Sequence, residues 1–428
     1  MLDFMIRGAQ AASGVRFDFG VLDGRIVNPG KARHEIDAEG LMVLAGFVDL
    51  HTHLREPGFE HSETIKSGSM AAAAGGYTAV HAMPNTYPVA DNAGVVELVL
   101  KTGQEAGYVH VQPIGAVTVG LEGKSLSEMG SMANSRAKVS IFSDDGKCVS
   151  DALLMRRALE YAKTFDAVIA QHAQEPRLTE NAQMNEGSVS AEIGLAGWPS
   201  VAEEAIIARD VLLAERIGAR LHICHVSTAG SLELIRWAKQ RGIDITAEVT
   251  PHHLMFTDEL ARSYDPLYKV NPPLRTGDDV LALRQGLIDG TIDIVATDHA
   301  PHSAENKDSE WSAAAFGMLG LEAAASVAQH VLIDSGASNW ERFETVMSLK
   351  PARIGKLENH GQAIKVGSMA NFTLIDPTAK RSGAVSHSKS ANNPYAAMSL
   401  PGQVVHTFFN GVQTVEDSSL RILEATND

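Results

Sequence analysis

The chain is 428 residues long, 44% hydrophobic and 21% charged, with a formal charge of −16 at pH 7. That length holds a sizeable core and a second, smaller unit, and the acidic balance argues against nucleic acid as a partner, since phosphate binders cluster Lys and Arg. No apolar run nears the roughly 18 residues of a membrane helix, and the two cysteines, Cys148 and Cys224, make no disulfide framework, so a soluble cytoplasmic protein is expected.

Residues 1–45 read as short strands. Asp23-Gly24, within Val21–Val27, is a hairpin signal because both central residues of a two-residue turn take positive φ. An apolar run from Val43 to Leu50 then leads into His51-Thr52-His53, and Pro57-Gly58 turns it into a loop. Alternate residues of a strand share a face, so His51 and His53 point the same way, as half of a metal site would.

From there short apolar strands alternate with helical stretches. The strands are expected near Val43–Leu50, Thr78–Met83, Val109–Val117, Val139–Phe142, Ala167–Ala170, Arg220–His225, Asp244–Val249 and Ile292–Ala296. Leu154, Ala158, Tyr161, Ala162 and Phe165 keep helical spacing, as do Val201, Ala205, Ala208 and Leu212, with Gly218 to end the latter helix. Eight strand–helix units predict an α/β fold, a parallel (β/α)8 TIM barrel over 46–355.

Near the far end, a strand at Ala370–Ile375 is followed by a hairpin tipped by Asn410-Gly411. Small β segments at opposite ends of a chain need partners, so residues 1–45 and 356–428 are expected to form one discontinuous β-sandwich module. The Ser- and Asn-rich stretch from Arg381 to Ser399 reads as an irregular connection inside it.

In a parallel barrel the chemistry sits at the carboxyl ends of the strands. Those ends carry His51 and His53, Asp144-Asp145, His172, His225, and Asp298-His299 followed by His302. A lone strand-end histidine is more often structural, but five such ends together point to a metal. Nitrogen and carboxylate ligands without thiolates suit Zn²⁺, with Mn²⁺, Co²⁺ or Fe²⁺ as further candidates. Cys224 should face away from the rim, because it precedes His225. Spacing does not choose between Asp144 and Asp145.

Gly46–Arg55, Met83-Pro84-Asn85-Thr86, Asn271-Pro272-Pro273-Leu274-Arg275 and Ala296–His302 resemble the dihydroorotases of the amidohydrolase superfamily, bacterial class I above all. The resemblance implies one or two zinc ions, with His51 and His53 on one, His172 and His225 on the other, and Asp298 as ligand and general base. Many relatives bridge the metals with a carboxylated lysine from strand 4. None stands at that position here, and likeness to members with an aspartate points to Asp145. It further implies that Arg55, Asn85 and His302 read the substrate carboxylate, that His53 and Asn271 touch the substrate, and that Phe316-Gly317 contact its ring from the 303–319 loop.

The reaction so implied is reversible hydrolysis of (S)-dihydroorotate to N-carbamoyl-L-aspartate in pyrimidine synthesis, by hydroxide at the metals with Asp298 taking the proton. The alternatives are a hydantoinase, dihydropyrimidinase or allantoinase, disfavoured by Arg55, His302 and the missing lysine, and an inactive dihydroorotase-like subunit, which would lack metal histidines. The partner expected is a small molecule, with no nucleic acid and no membrane. The sequence leaves open a homodimer or association with aspartate transcarbamoylase.

Overall fold

A computed structural model of the protein describes residues 1–423. Residues 424–428, the end of the expected β module, lie outside the described residues. Five strands open the chain: β1 (Leu2–Ala11), β2 (Arg16–Leu22), β3 (Arg25–Val27), β4 (Ala32–Asp37) and β5 (Met42–Ala45). β1 pairs antiparallel with β2 and parallel with β4 and β5. Asp23 and Gly24, at φ 49° and 75°, make the tight turn from β2 to β3.

The apolar run expected as one strand serves two sheets. β5 stays with the terminal sheet while β6 (Phe47–Thr52) joins the next, and the chain crosses at Gly46. A Cβ there would lie 2.2 Å from the Thr78 side chain, so the close approach of the two sheets requires glycine.

Next come β7 (Tyr77–Ala82), β8 (His110–Pro113), β9 (Ile141–Phe142), β10 (Val168–Gln171), a short pair β11 (Met184–Asn185) and β12 (Gly197–Trp198), then β13 (Arg220–Ile223), β14 (Ile245–Val249) and β15 (Ile294–Val295), interspersed with helices. β6-β7-β8 form one parallel sheet and β9-β10-β13-β14-β15 another. No continuous ladder closes them into one sheet, which is where the fold departs from the expected barrel. The two sheets meet instead through isolated parallel bridges, Gly115–Phe142 at one seam and Thr52–His299 at the other. The second seam is short because Asp298, at φ 45°, leaves strand geometry. Val48, Ala79, Ile114, Ile141, Val168 and Ile294 pack with Ala352 and Ile354, so the interior of this ring of strands is filled.

The helix Val201–Ile217 buries the face opposite to the one expected. Ala202, Ile206, Ile207, Val211 and Ala214 point inward, whereas Val201 and Leu212 are 48% and 55% exposed. The helix is apolar on two sides, and the side bearing Ile206, Ile207 and Val211 removes more apolar surface from water. Gly218 ends it at φ 67°. Among the described residues no helix is long and apolar enough to cross a membrane.

The chain closes with β16 (Phe372–Ser382), β17 (Ser399–Phe409), β18 (Val412–Glu416) and β19 (Ser419–Leu420). β16 pairs antiparallel with β5, so both termini share a nine-stranded sheet, ordered β19-β18-β17-β16-β5-β1-β2-β3 with β4 on β1. The sheet curls on itself: Phe4 of β1 meets Phe408 of β17 edge-on at 5.0 Å, across two intervening strands. Its two hairpin tips touch, since a Cβ on Gly411 would lie 2.5 Å from Gly24 Cα. Residues 383–398, between β16 and β17, do not stay inside this sheet. They cross to the strand ring, where Ser390 Oγ donates to the Ser62 carbonyl at 2.6 Å and Asn392 Nδ2 to that of Ala300 at 2.9 Å.

Candidate active site

Six side chains converge where the parallel strands end. His51 lies near the end of β6 and His53 just past it; Asp145 follows β9, His172 follows β10, His225 follows β13 and Asp298 follows β15. His225 and Asp298 take φ values of 30° and 45°, sparsely populated for residues with a side chain. Their side chains are thereby turned out of simple strand alternation. The ligand atoms fall into two groups. His51 Nε2 and His53 Nε2 each lie 3.3 Å from Asp145 Oδ2, and 3.4 and 3.0 Å from Asp298 Oδ1. Asp145 Oδ1 lies 3.2 Å from His172 Nδ1 and 3.3 Å from His225 Nε2. One carboxylate thus offers an oxygen to each pair of histidines.

The outer nitrogens are held in place. His51 Nδ1 faces Glu248 Oε1 at 2.6 Å, His53 Nδ1 faces Asn85 Oδ1 at 2.9 Å, and His172 Nε2 faces Gln174 Oε1 at 2.8 Å. Those oxygens accept, so each ring carries its proton outward and aims a lone pair inward. His51 Nε2 is buried without a hydrogen-bond partner, and His172 Nδ1 stands only 2.8 Å from His225 Nε2. Converging lone pairs and carboxylate oxygens repel one another unless a cation lies between them, so these residues fit divalent metal ions, zinc included.

Asp144 is engaged elsewhere. Its Oδ1 accepts from the backbone N–H groups of Val117 and Thr118 at 2.8 and 2.9 Å, and its Oδ2 from the Thr118 hydroxyl. Cys224 does not turn away as alternation suggests. It packs in the ring interior, its sulfur near His51 and Glu248, and burial pushes its thiol up, so it is no thiolate. Burial opposes ionisation of Asp298, yet the facing His51 and His53 hold its carboxyl well below the usual range. Glu248, also fully buried, is held down to about 2 against that same burial by His51 and His222.

The expected substrate residues ring this centre. Strand geometry ends at Thr52, so Arg55 does not continue the face of His53; it sits in a left-handed turn at φ 63°. Its Nε donates to the Pro301 carbonyl at 3.0 Å, and a terminal nitrogen lies 3.5 Å from His302 Nε2. Burial lowers Arg55 to about 10. His302 is lowered to about 3 by burial and by Arg55, and its neutral ring donates from Nε2 to the Phe316 carbonyl at 2.7 Å. Asn271 Nδ2 donates to Gln174 Oε1 at 3.2 Å while its Oδ1 is buried without a partner. The 303–319 stretch includes a short helix, Ala304–Lys307. It is anchored where Lys307 Nζ donates to the Lys269 and Ala315 carbonyls at 2.8 and 2.9 Å. Trp311 is buried in the same segment.

Four supporting residues were not anticipated. Glu248 could have been suspected as an acid inside an otherwise apolar strand. Gln174, Glu63 and Asn392 carried no such signal. Glu63 is fully buried and accepts from Lys389 N at 3.0 Å and from the Ser388 and Ser67 hydroxyls, linking the ring to the crossing segment.

The dihydro-orotase-like family model matches residues 40–231. A dihydroorotase from Leifsonia xyli subsp. xyli is 61% identical over 97% of this chain and 97% of its own length. One from Mycobacterium tuberculosis is 52% identical, over 98% and 100%. Among solved structures, an L-hydantoinase (dihydropyrimidinase) from Arthrobacter aurescens superposes with a TM-score of 0.87 at 25% identity, covering 99% of this chain and 98% of that one.

Proposed function

The chain belongs to the dihydroorotase family, and from that premise we propose how its strand-end site hydrolyses (S)-dihydroorotate reversibly to N-carbamoyl-L-aspartate, a step of pyrimidine synthesis. It is a cyclic amidohydrolase. The ring of strands is read as a metal-dependent (β/α)8 barrel, and the terminal sheet as its small sandwich module.

The observation that carries the reading is the Asp145 carboxylate shared between two histidine pairs, with Asp298 closing the first. His51, His53 and Asp298 would hold one divalent ion, His172 and His225 a second, and Asp145 would bridge them; zinc is the metal favoured by this donor set. Two ions bound there would lower the pKa of a water between them and polarise the carbonyl under attack. Asp298, whose Oδ1 faces His53 Nε2 at 3.0 Å, accepts the proton of the attacking water on a carboxylate oxygen. It then returns that proton to the ring nitrogen as the amide bond breaks, a base turned acid.

Dihydroorotate is an anion, and Arg55 is a half-buried cation that donates to the Pro301 carbonyl and meets no carboxylate among the described residues. Its planar fork is therefore assigned to the substrate carboxylate, with Asn85 beside it. His302 is assigned to the carboxylate as well, with its ring held in place by the Phe316 carbonyl. Asn271, with its free carbonyl oxygen, and the Phe316-Gly317 backbone are assigned to the ring. Turnover of dihydroorotate and of dihydrouracil, measured side by side, tests the reading. Preference for the first by at least about a thousandfold is expected, because sites built for a polar group reject its absence by about 10⁴–10⁵. Equal turnover of the two would move the activity to the hydantoinase side.

A further inference from the structure

We propose that Asn392, carried by the segment between β16 and β17 of the terminal sheet, is a positioning residue that fixes the substrate loop over the mouth of the strand ring. The proposal rests on the dihydroorotase reading for the identity of the substrate, and on the hydrogen bonds of Asn392 for the clamp.

Asn392 is 4% exposed and its side-chain amide is fully used. Its Nδ2 donates to the Ala300 carbonyl at 2.9 Å and to the Gly317 carbonyl at 3.2 Å, while its Oδ1 accepts from the His302 N–H at 3.1 Å. Its own carbonyl accepts from Leu319 N at 3.0 Å. One residue therefore ties the stretch after Asp298 to both sides of the loop's return. The opposite edge is held separately, by Gly317 N donating to the Lys269 carbonyl at 3.0 Å. Gly317 itself sits at φ 144°, and a Cβ on it would lie 2.7 Å from His302 Nε2. The loop thus passes so close to His302 that a small displacement of either strand of backbone would collide or open a gap.

An asparagine serving only to fill the core would need its bonds satisfied anywhere. Here all three side-chain bonds go to backbone on the two segments that bear His302 and Phe316-Gly317, and none goes to its own sheet. The crossing segment is anchored apart from it, by Ser390 Oγ on the Ser62 carbonyl at 2.6 Å and by Lys389 N on Glu63 at 3.0 Å. Loss of Asn392 should accordingly free the loop without releasing the segment.

The test uses Asn392→Asp in the full chain, which keeps size and the acceptor for His302 N–H but sets an oxygen against two carbonyls. Asn392→Ala, which simply deletes the bonds, replaces it if that variant does not fold. Melting temperature and metal content report folding; kcat and KM for dihydroorotate report the site. Tryptic cleavage after Lys307, whose side chain is buried in the closed loop, reports loop opening. We expect KM to rise so that kcat/KM falls about 10–100-fold, since misplacement of about 1 Å can cost about 10²-fold. Cleavage after Lys307 should quicken severalfold, and N-carbamoyl-L-aspartate should slow it less than in wild type. A folded, metal-replete variant with wild-type KM and wild-type cleavage would overturn the proposal, as would a fall in kcat alone with cleavage unchanged. If wild type itself does not turn over dihydroorotate, the functional reading fails, and the cleavage rates still decide the clamp.

Discussion

Glu248 Oε1 lies 2.6 Å from Nδ1 of His51, with both side chains buried. The same carboxylate receives His222 Nε2 on its other oxygen at 2.9 Å and the His225 backbone N–H at 3.2 Å. It therefore orients one histidine of each proposed metal through a single group. In Glu248→Gln one of these donors would face an NH2 group instead of an oxygen. Loss of such outer partners typically costs 10–100-fold in metal affinity. Titration with a chelator, read by residual metal content, should show release at a correspondingly lower chelator concentration. Identical release curves for wild type and variant would mean that Glu248 serves the fold alone.

Asp298→Asn should keep the fold and lose turnover. The amide cannot accept a proton, and general acid–base catalysis contributes about 10²–10⁴-fold. Loss of a ligand to the first metal would add to that. Bound metal and kcat should be measured on the same preparation. A variant that retains its metal and stays within about threefold of wild-type kcat, far short of the loss general base removal brings, would place the base elsewhere.

Arg55→Met removes the fork and its bond to the Pro301 carbonyl but keeps an unbranched stem. A charge-assisted pair contributes on the order of 1.5–3 kcal/mol, or roughly 10–100-fold in kcat/KM. The variant should lose that much on dihydroorotate and little on dihydrouracil, so the preference between them narrows. Equal losses on the two substrates would assign Arg55 to support of the metal centre.

Burial lowers Lys307 to about 7, against about 10.4 for a free lysine. Between those values the unfolded chain holds a proton that the folded one has released, so this residue's contribution to stability rises with pH across that window and is smallest below about 7. A neutral amine still has two N–H groups, enough for the Lys269 and Ala315 carbonyls. The difference in unfolding free energy between wild type and Lys307→Met should grow between pH 7.5 and 9.5, by up to about 1.4 kcal/mol per pH unit. A flat difference would show that Lys307 titrates near its ordinary value.

Much of this molecule is legible before any coordinates. Asp23-Gly24 and Asn410-Gly411 mark hairpins because local φ alone decides a two-residue turn. The histidines and acids after apolar strands mark the site because strand ends share a rim. Both readings depend on neighbours only a few residues away. His225 and Asp298 already strain that logic: their positive φ values, not strand alternation, set where their side chains point. Arg55 likewise reaches the mouth through a left-handed turn, which no two-residue periodicity describes.

What the residues determined by themselves, then, was which histidines and acids meet at the strand ends, and the turns at both ends of the chain. Tertiary structure decided the rest, because the remaining choices are settled by partners far apart in sequence. The helix Val201–Ile217 has two apolar sides, and only its packing selects Ile206 and Val211 over Val201 and Leu212. Asp144 and Asp145 are chemically alike, and Asp145 is singled out because the Val117 and Thr118 N–H groups, 27 and 26 residues away, take up the other. Asn392 sits 92 residues from Ala300 and reaches it only because a segment of the terminal sheet crosses to the strand ring. A buried amide must find partners wherever the fold brings them, and nothing local to Asn392 says where that is.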